Sequence, residues 1–239
     1  MSLLKKTIIA SAAVLLVACA GLLFFYRHQI VHSFANAKGQ RMIANHIATA
    51  SDLTGRLTIP AEYFDQIKAF PEWSAVPQGF EMFRNVPFQI DGVMCLWGAN
   101  NAKAGLVLPE EQLGAGPTGK FGTLYIYDAT FYSSPPETPV YEVVFRYDDG
   151  SSVTNQILYG NDVFDWFSGG KTPASPRSKV AWQGSYNNGG RVQPLSFYIT
   201  ALENPHPEIP VTSVDLYSSK NGSAACIGAM TAGPSGLMR

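Results

Sequence analysis

The sequence predicts an all-β protein: a jelly-roll β-sandwich of about nine strands, preceded by an N-terminal transmembrane helix and a short helical stalk. Two observations support the sandwich. Among 239 residues, Gly (22) and Pro (16) are plentiful, 12% are aromatic and only 15% are charged, a balance typical of short strands joined by turns. Turn signals also recur about every 8 to 15 residues in the last two thirds of the chain, and no long helical pattern occurs there.

The N-terminal segment has the composition of a membrane anchor. Residues 7–26 carry no charged side chain and follow an n-region, residues 1–6, that contains Lys5 and Lys6. As a helix, a run of this length spans about 30 Å, the thickness of one hydrocarbon core. We therefore expect a signal anchor that contacts the lipid bilayer through residues 7–26.

Two other interpretations of the same segment depend on Cys19. "LVAC", residues 16–19, resembles a bacterial lipobox, and the small residues around Cys19 resemble a signal-peptidase site. Cleavage or lipidation there would leave the apolar residues 21–26 exposed, whereas an uncleaved helix buries them and places Tyr26 at the interface. The uncleaved anchor is therefore favoured.

The orientation of this anchor depends on the flanking charges. Lys5 and Lys6 precede the apolar run, while Arg27, Lys38 and Arg41 follow it, so the positive-inside count is closely balanced. The short n-region favours an N-terminus inside. We expect a single-pass protein of the bacterial inner membrane with its main domain outside the cytoplasm.

Residues 27–80 are interpreted as a stalk and linker. Apolar residues in 27–56 recur at spacings near 3.6, which predicts one or two amphipathic helical pieces. These pieces serve either as a membrane-proximal connector or as a partner-binding helix. The linker that follows is punctuated by Pro60, Pro71 and Pro77.

Residues 81–239 form the predicted sandwich domain. Alternation of apolar and polar residues is clearest in 139–148 and 192–203, which we interpret as half-buried antiparallel strands. Asp149 and Gly150 predict a hairpin turn after the first of these. The candidate strands are 86–97, 104–108, 121–131, 139–148, 151–158, 178–183, 192–203, 209–218 and 223–232.

Several familiar catalytic patterns are excluded by their context. "GAGPTG", residues 114–119, lacks the strand before it and the helix after it that a dinucleotide site needs. "GGKT", residues 169–172, lacks the first glycine of a phosphate loop and is followed by Pro173. No G-x-S-x-G or zinc-ligand spacing occurs, and His206 is the lone histidine of the domain. We therefore expect a protein that is not an enzyme and that binds no cofactor or metal. With a net charge of -1, it is also not expected to bind nucleic acid.

Cys95 and Cys226 have two alternative interpretations. If the first and last strands of the sandwich lie side by side, these residues face each other and form a disulfide outside the cytoplasm. Alternatively, they are two buried thiols that pack as small apolar side chains.

An ordered set of motifs runs through the domain: "FRNVPFQIDGVMCLWG", "VYEVVFRYDDGSS", "ILYGNDVFDWF", "VAWQG" and "ALENPHPEIP". Together they resemble an uncharacterised bacterial galactose-binding-like β-sandwich domain, found at the C-terminal end of secreted or membrane-anchored proteins. The resemblance covers about residues 80–232. It implies the fold, whereas such sandwiches serve both as lectin-like and as purely structural modules. Leu202 stands where the family has a Trp.

A glycan site is predicted in two of these motifs. Aromatic faces cover the C–H surfaces of sugars, and carboxylates or amides bond their hydroxyls, so mixed Asp-Trp-Asn loops are suited to carbohydrate. The candidate ligand-binding residues are Asn161, Asp162, Asp165, Trp166, Trp182, Tyr186 and Asn187. The sequence therefore predicts a non-catalytic carbohydrate-binding module.

Other roles remain open for the same residues. Trp166 and Trp182 also suit core positions, and Asp162 and Asp165 suit the capping of a helical turn. The two carboxylates are further compatible with a structural calcium or with glycoside hydrolysis. The alternative for the whole domain is a structural or protein-interaction module of the cell envelope without a small ligand.

Overall fold

A computed structural model describes residues 29, 31–51, 53, 56–57, 59–60 and 75–239 of the chain. The predicted anchor at 7–26 and most of the predicted linker lie outside these residues. Within the described part of the chain, no helix is both long enough and apolar enough to cross a membrane.

The chain divides into two compact units. The first, Met1–Lys38, is described at residue 29 and at 31–38, all of them helical. The second, Gly39–Arg239, begins with helical residues 39–44 and contains all of the strands described below. Residues 31–44 are thus helical, within the range 27–56 for which the sequence predicted one or two helical pieces.

The second unit is mostly β. Its described strands are β1 (Thr49–Ala50), β2 (Ile59–Pro60), β3 (Gly79–Phe83), β4 (Val86–Ile90), β5 (Gly92–Cys95), β6 (Glu111–Gln112), β7 (Thr123–Phe131), β8 (Pro139–Tyr147), β9 (Ser152–Leu158), β10 (Ser178–Asn188), β11 (Arg191–Glu203), β12 (Val211–Ser218) and β13 (Ala224–Gly233).

Two antiparallel sheets make up a sandwich-like arrangement. The larger has the order β10, β11, β7, β13, β5, β2, with β1 also paired to β13; the smaller has the order β6, β12, β8, β9. Leu124 and Ile126 of β7 share one buried cluster with Val143 and Phe145 of β8. The main core therefore lies between the two sheets.

The larger sheet is covered on its other face as well. Hairpin β3–β4 packs there, and Phe88 shares a second buried cluster with Tyr127 of β7 and Phe197 of β11. The Tyr127 ring stacks between those of Phe83 and Phe197, with centroids 5.1 and 4.7 Å away. The central strands of this sheet are consequently buried on both faces.

This double cover corrects one sequence expectation. Strand 192–203 was predicted to be half-buried, but Ser196, Tyr198 and Thr200 on its polar side are fully buried. Alternation does not indicate that both faces of a strand are covered. The Thr200 hydroxyl lies 2.9 Å from that of Ser178, which is also buried. In β8 the alternation is confirmed: Tyr141, Val143, Phe145 and Tyr147 are buried, while Glu142 is partly exposed and Arg146 is exposed.

The predicted number of strands was too low, and one predicted strand is wrong. Residues 49–50 and 59–60, placed by the sequence in the linker, pair with β13 and β5. Candidate 86–97 divides at Gly92 into β4 and β5.

Candidate strand 104–108 is absent from the fold. It follows a short helix, Ala99–Lys103, whose end is closed when Gly105 donates to Ala102 O and Leu106 to Asn101 O. This is a Schellman motif with its glycine at φ 83. The apolar residues after it form a loop, in which Val107 is 99% exposed.

Candidate functional site

A loop segment is inserted between β7 and β11 where those two strands part. Their pairing ends at Asp128 and Tyr198. Beyond it, Thr130 N donates to Phe164 O (3.1 Å), Trp166 N donates to Thr130 O (3.1 Å), and Ser196 N donates to Trp166 O (2.7 Å). The backbone of residues 164–166, here called the wedge, is thereby held by strands on both sides.

Two wedge residues, Asp165 and Trp166, line a cavity of about 150 Å³, here called the aromatic cleft. Trp166 is 3% exposed and meets Phe131 edge to face at 5.6 Å and Phe167 at 4.7 Å between centroids. Phe167 and Tyr132 are 39% and 43% exposed. The cleft is lined by Asn101, Leu106, Phe131, Tyr132, Asp165, Trp166 and Phe167.

Two polar groups converge on these rings. Asp165 is half-buried; Phe167 N donates to its Oδ1 (2.9 Å) and the Ser133 hydroxyl to its Oδ2 (3.4 Å). Desolvation raises the pKa of the Asp165 carboxyl above its ordinary value, against the lowering effect of these hydrogen bonds. Asn101 is 2% exposed, and its Oδ1 is buried without a hydrogen-bond partner. The cleft thus combines apolar rings with the Asp165 carboxylate, beside the buried Asn101 side chain.

Tyr132 is held at the cleft in a strained conformation. Its φ of 65° lies in the left-handed region, which non-glycine residues seldom occupy. The Thr130 hydroxyl donates to Tyr132 O at 3.1 Å. Such strain occurs where surrounding structure enforces it, often at binding sites.

Asp162 belongs to a different environment from Asp165. It is fully buried, and Arg177 donates from Nε to its Oδ1 (2.8 Å) and from Nη2 to its Oδ2 (2.7 Å). Leu158 N (3.0 Å) and the Ser178 hydroxyl (3.3 Å) donate to the same carboxylate. With four donors from the protein, Asp162 ties the 159–177 loop to β9 and β10 and is not open to a ligand.

The remaining predicted contacts are dispersed. Trp182 and Tyr186 of β10 are partly buried against the second core cluster, and neither lines the cleft. Asn187 Oδ1 accepts from Gly190 N (2.9 Å) and so shapes the β10–β11 turn. Asn161 contributes its carbonyl, which accepts from Ser175 N at 2.9 Å. Of the seven predicted ligand contacts, the structure brings only Asp165 and Trp166 together in the cleft.

Cys95 and Cys226 are register partners on β5 and β13, so the predicted adjacency of these strands is confirmed. Both residues are buried thiols with their Sγ atoms 3.8 Å apart. A disulfide would require the two sulfurs to approach to about 2.05 Å.

A second buried carboxyl, Asp128, lies between the sheets. The Tyr141 hydroxyl donates to its Oδ2 at 2.6 Å, while its Oδ1 is buried without a partner. Desolvation raises the pKa of Asp128 well above its ordinary value, and the nearby charge of Asp162 adds to this.

This raised pKa predicts a pH-dependent stability. The folded protein holds the Asp128 proton to a higher pH than the unfolded chain, which releases it near pH 4, so ionisation lowers the free energy of unfolding as pH rises. Asp128→Asn, which cannot ionise, is expected to match wild type near pH 4 and to exceed it at pH 8 by at least about 1 kcal/mol. Urea unfolding at the two pH values measures this, and parallel pH profiles for the two proteins would contradict it.

Two larger depressions lie elsewhere on the second unit. One of about 450 Å³ is lined by residues that include Tyr125, Arg177 and Glu203, and one of about 380 Å³ by residues that include His46 and Lys120. Neither contains a predicted ligand contact. Within the described part of the chain, no group of three or more His, Cys, Asp or Glu side chains is placed to hold a metal ion.

Sequence reasoning missed most of the cleft. Asn101, Leu106, Tyr132 and Phe167 were not singled out, because the cleft joins three segments of the chain that are distant in sequence. One available signal was Phe167 next to Trp166: adjacent aromatic residues at the end of a strand-like run cannot both face the core.

Comparison with known proteins gives no relative on which to base an assignment: no family model and no curated protein matches the chain. The site alone therefore carries the functional conclusion.

Proposed function

We propose that this protein is a non-catalytic carbohydrate-binding module and that the aromatic cleft is its binding site. The observation that carries the proposal is the convergence of the exposed Tyr132 and Phe167 rings with the Asp165 carboxylate and the Asn101 amide. Rings that cover C–H surfaces, beside oxygens that accept from hydroxyls, are the two components of a sugar site. At about 150 Å³, the cleft has room for one sugar unit.

We also propose that the fold is a jelly-roll sandwich of the galactose-binding-like type. Four long strands of the larger sheet, β7, β10, β11 and β13, and three of the smaller, β8, β9 and β12, are all antiparallel, which fits such a fold. Binding sites commonly lie on loops that a rigid scaffold holds in position. The aromatic cleft is formed in part by such loops.

We further propose that residues 7–26 anchor the protein in the bacterial inner membrane with the domain outside the cytoplasm. The support is the uncharged 20-residue run in the sequence. A periplasm-dependent reporter fused after residue 60 is expected to be active. A reporter active only in the cytoplasm would overturn the orientation.

The binding site is tested by removing its exposed rings. Tyr132→Ala and Phe167→Ala are each expected to weaken glycan binding about two- to tenfold, because one stacked ring contributes about 0.5–1.5 kcal/mol. Both side chains are more than a third exposed, so the free energy of unfolding should fall by no more than about 1 kcal/mol. Glycan-array screening followed by calorimetry on the full-length protein measures the first effect, and urea unfolding the second.

Val192→Ala is the matched control. Val192 is 65% exposed on the β10–β11 hairpin and does not line the cleft, so its loss should leave glycan binding unchanged. If wild type retains no glycan, the domain is instead a structural or protein-interaction module. The apolar rim formed by Leu106 and the 99% exposed Val107 would then be its contact surface.

A further inference from the structure

The aromatic cleft is lined by negative charge alone. Among its lining residues Asp165 is the only one that is ionisable near neutral pH, and no basic side chain lines the cleft. Lys171 acts on Asp165 from outside the lining, with its Nζ 5.8 Å from the centroid of the Phe164 ring. The Asp165 charge therefore faces the cleft without a cation to balance it there.

The Asp165 carboxylate has unused acceptor capacity. Each of its oxygens receives one donor from the protein, and a carboxylate oxygen can accept two. A ligand in the cleft can therefore supply further donors to Asp165.

The aromatic walls favour the same kind of ligand. Ring faces attract cations within about 6 Å of their centroids, and the attraction increases when the site is sheltered from water. Trp166, Phe131 and Phe167 meet around the wedge, with Tyr132 at the rim. Aromatic rings and a carboxylate with free acceptor capacity both complement an ammonium group, which is a cation with three donors.

We infer that the carbohydrate bound in the cleft carries a free, protonated amino group, as in a glucosamine-type unit, and that this ammonium lies against Asp165 and the rings. The inference rests on the proposed function and narrows its ligand class. A neutral hydroxyl in the same place would satisfy the acceptors but would lack the charge attraction that an ammonium adds to that of Lys171.

Calorimetry on the full-length protein with two matched probes tests the inference: the hexamer of glucosamine and the hexamer of N-acetylglucosamine. Acetylation removes the charge and two of the three donors of each amino group while keeping the sugar ring. We expect the glucosamine hexamer to bind at least about tenfold more tightly at pH 6, and the difference to shrink as salt is raised.

Two aspartate variants locate the effect. Asp165→Asn keeps an acceptor for Phe167 N and is expected to abolish the preference between the hexamers. Asp149→Asn is its control: Asp149 also accepts a backbone N–H two residues on, from Ser151 at 2.9 Å, but lies in an exposed turn outside the cleft. This variant should keep the preference.

Phe167→Leu provides an independent test should Asp165→Asn fold poorly. It removes the ring while retaining an apolar side chain, and should reduce the preference for the charged hexamer severalfold. Equal affinity of wild type for the two hexamers would overturn the inference and leave the proposed function standing. Absence of binding to either hexamer and to every neutral glycan on the array would overturn both.

Discussion

Asp162→Ala is expected to lower the free energy of unfolding by about 3 kcal/mol. The substitution removes a fully buried carboxylate that receives four hydrogen bonds. It leaves the Arg177 guanidinium without its carboxylate partner and with one remaining bond, to Gln156 O at 2.7 Å. Breaking one side of a buried ion pair typically costs about 3–5 kcal/mol. We expect the lower end, since the Arg177 side chain is 36% exposed and can turn towards water.

The surface pair Lys220–Glu110 is the matched control. Both of its side chains are more than half exposed, so Glu110→Ala should change stability by less than about 1 kcal/mol. Urea unfolding of the two variants compares a buried with an exposed ion pair in one chain. A loss below about 1 kcal/mol for Asp162→Ala would show that the loop is held by its backbone contacts alone.

Trp166→Ala is expected to be similarly damaging, with a loss of about 3–5 kcal/mol. The indole is 3% exposed and packs on Phe131 and Phe167, so alanine leaves a cavity that the backbone-bonded wedge cannot close. Chemical denaturation measures the loss. Trp166→Phe, which keeps most of the ring, should lose about half as much or less.

This prediction separates the two roles that the sequence left open for Trp166. Truncating a core residue lowers the stability of the protein, and ligand binding is then lost because the cleft becomes disordered. A residue whose role is only to contact a ligand would lose binding at unchanged stability, which is the behaviour expected of Phe167→Ala. Unchanged stability of Trp166→Ala would therefore contradict the packing described here.

The alternation of apolar and polar residues predicted the strands that have one buried and one solvent-exposed face. In β8 the alternation of Tyr141 and Phe145 with Glu142 and Arg146 matches burial on one side and exposure on the other. The turn at Gly150 was also predicted, and its φ of 83° shows why glycine stands there. Both signals are local, so they can be read without knowing the neighbours of the strand.

The pattern failed where a third layer covers the sheet. In β7 every position from Thr123 to Thr130 is buried, because alternate side chains enter the two core clusters. The covering hairpin β3–β4 turns at Arg84 and Asn85, both in the left-handed region, without the glycine that usually marks such a turn. No local rule indicates which face a distant hairpin will cover.

The candidate site was predictable only in part for the same reason. Asp165 and Trp166 belong to one conspicuous motif, whereas Asn101 and Tyr132 reach the cleft from other loops. Asp162 was grouped with Asp165 because the two lie three residues apart. In the structure the two have different surroundings: the Asp162 carboxylate is paired with Arg177, whereas the Asp165 carboxylate lines the cleft.

The wedge between β7 and β11 has a kinetic consequence. Its backbone is bonded to a strand on each side, so this side of the cleft can open only if the larger sheet locally comes apart. A ligand therefore meets a cleft that is already formed, and association needs no preceding rearrangement. Differences in affinity among glycans should then appear almost entirely in how long each one stays bound.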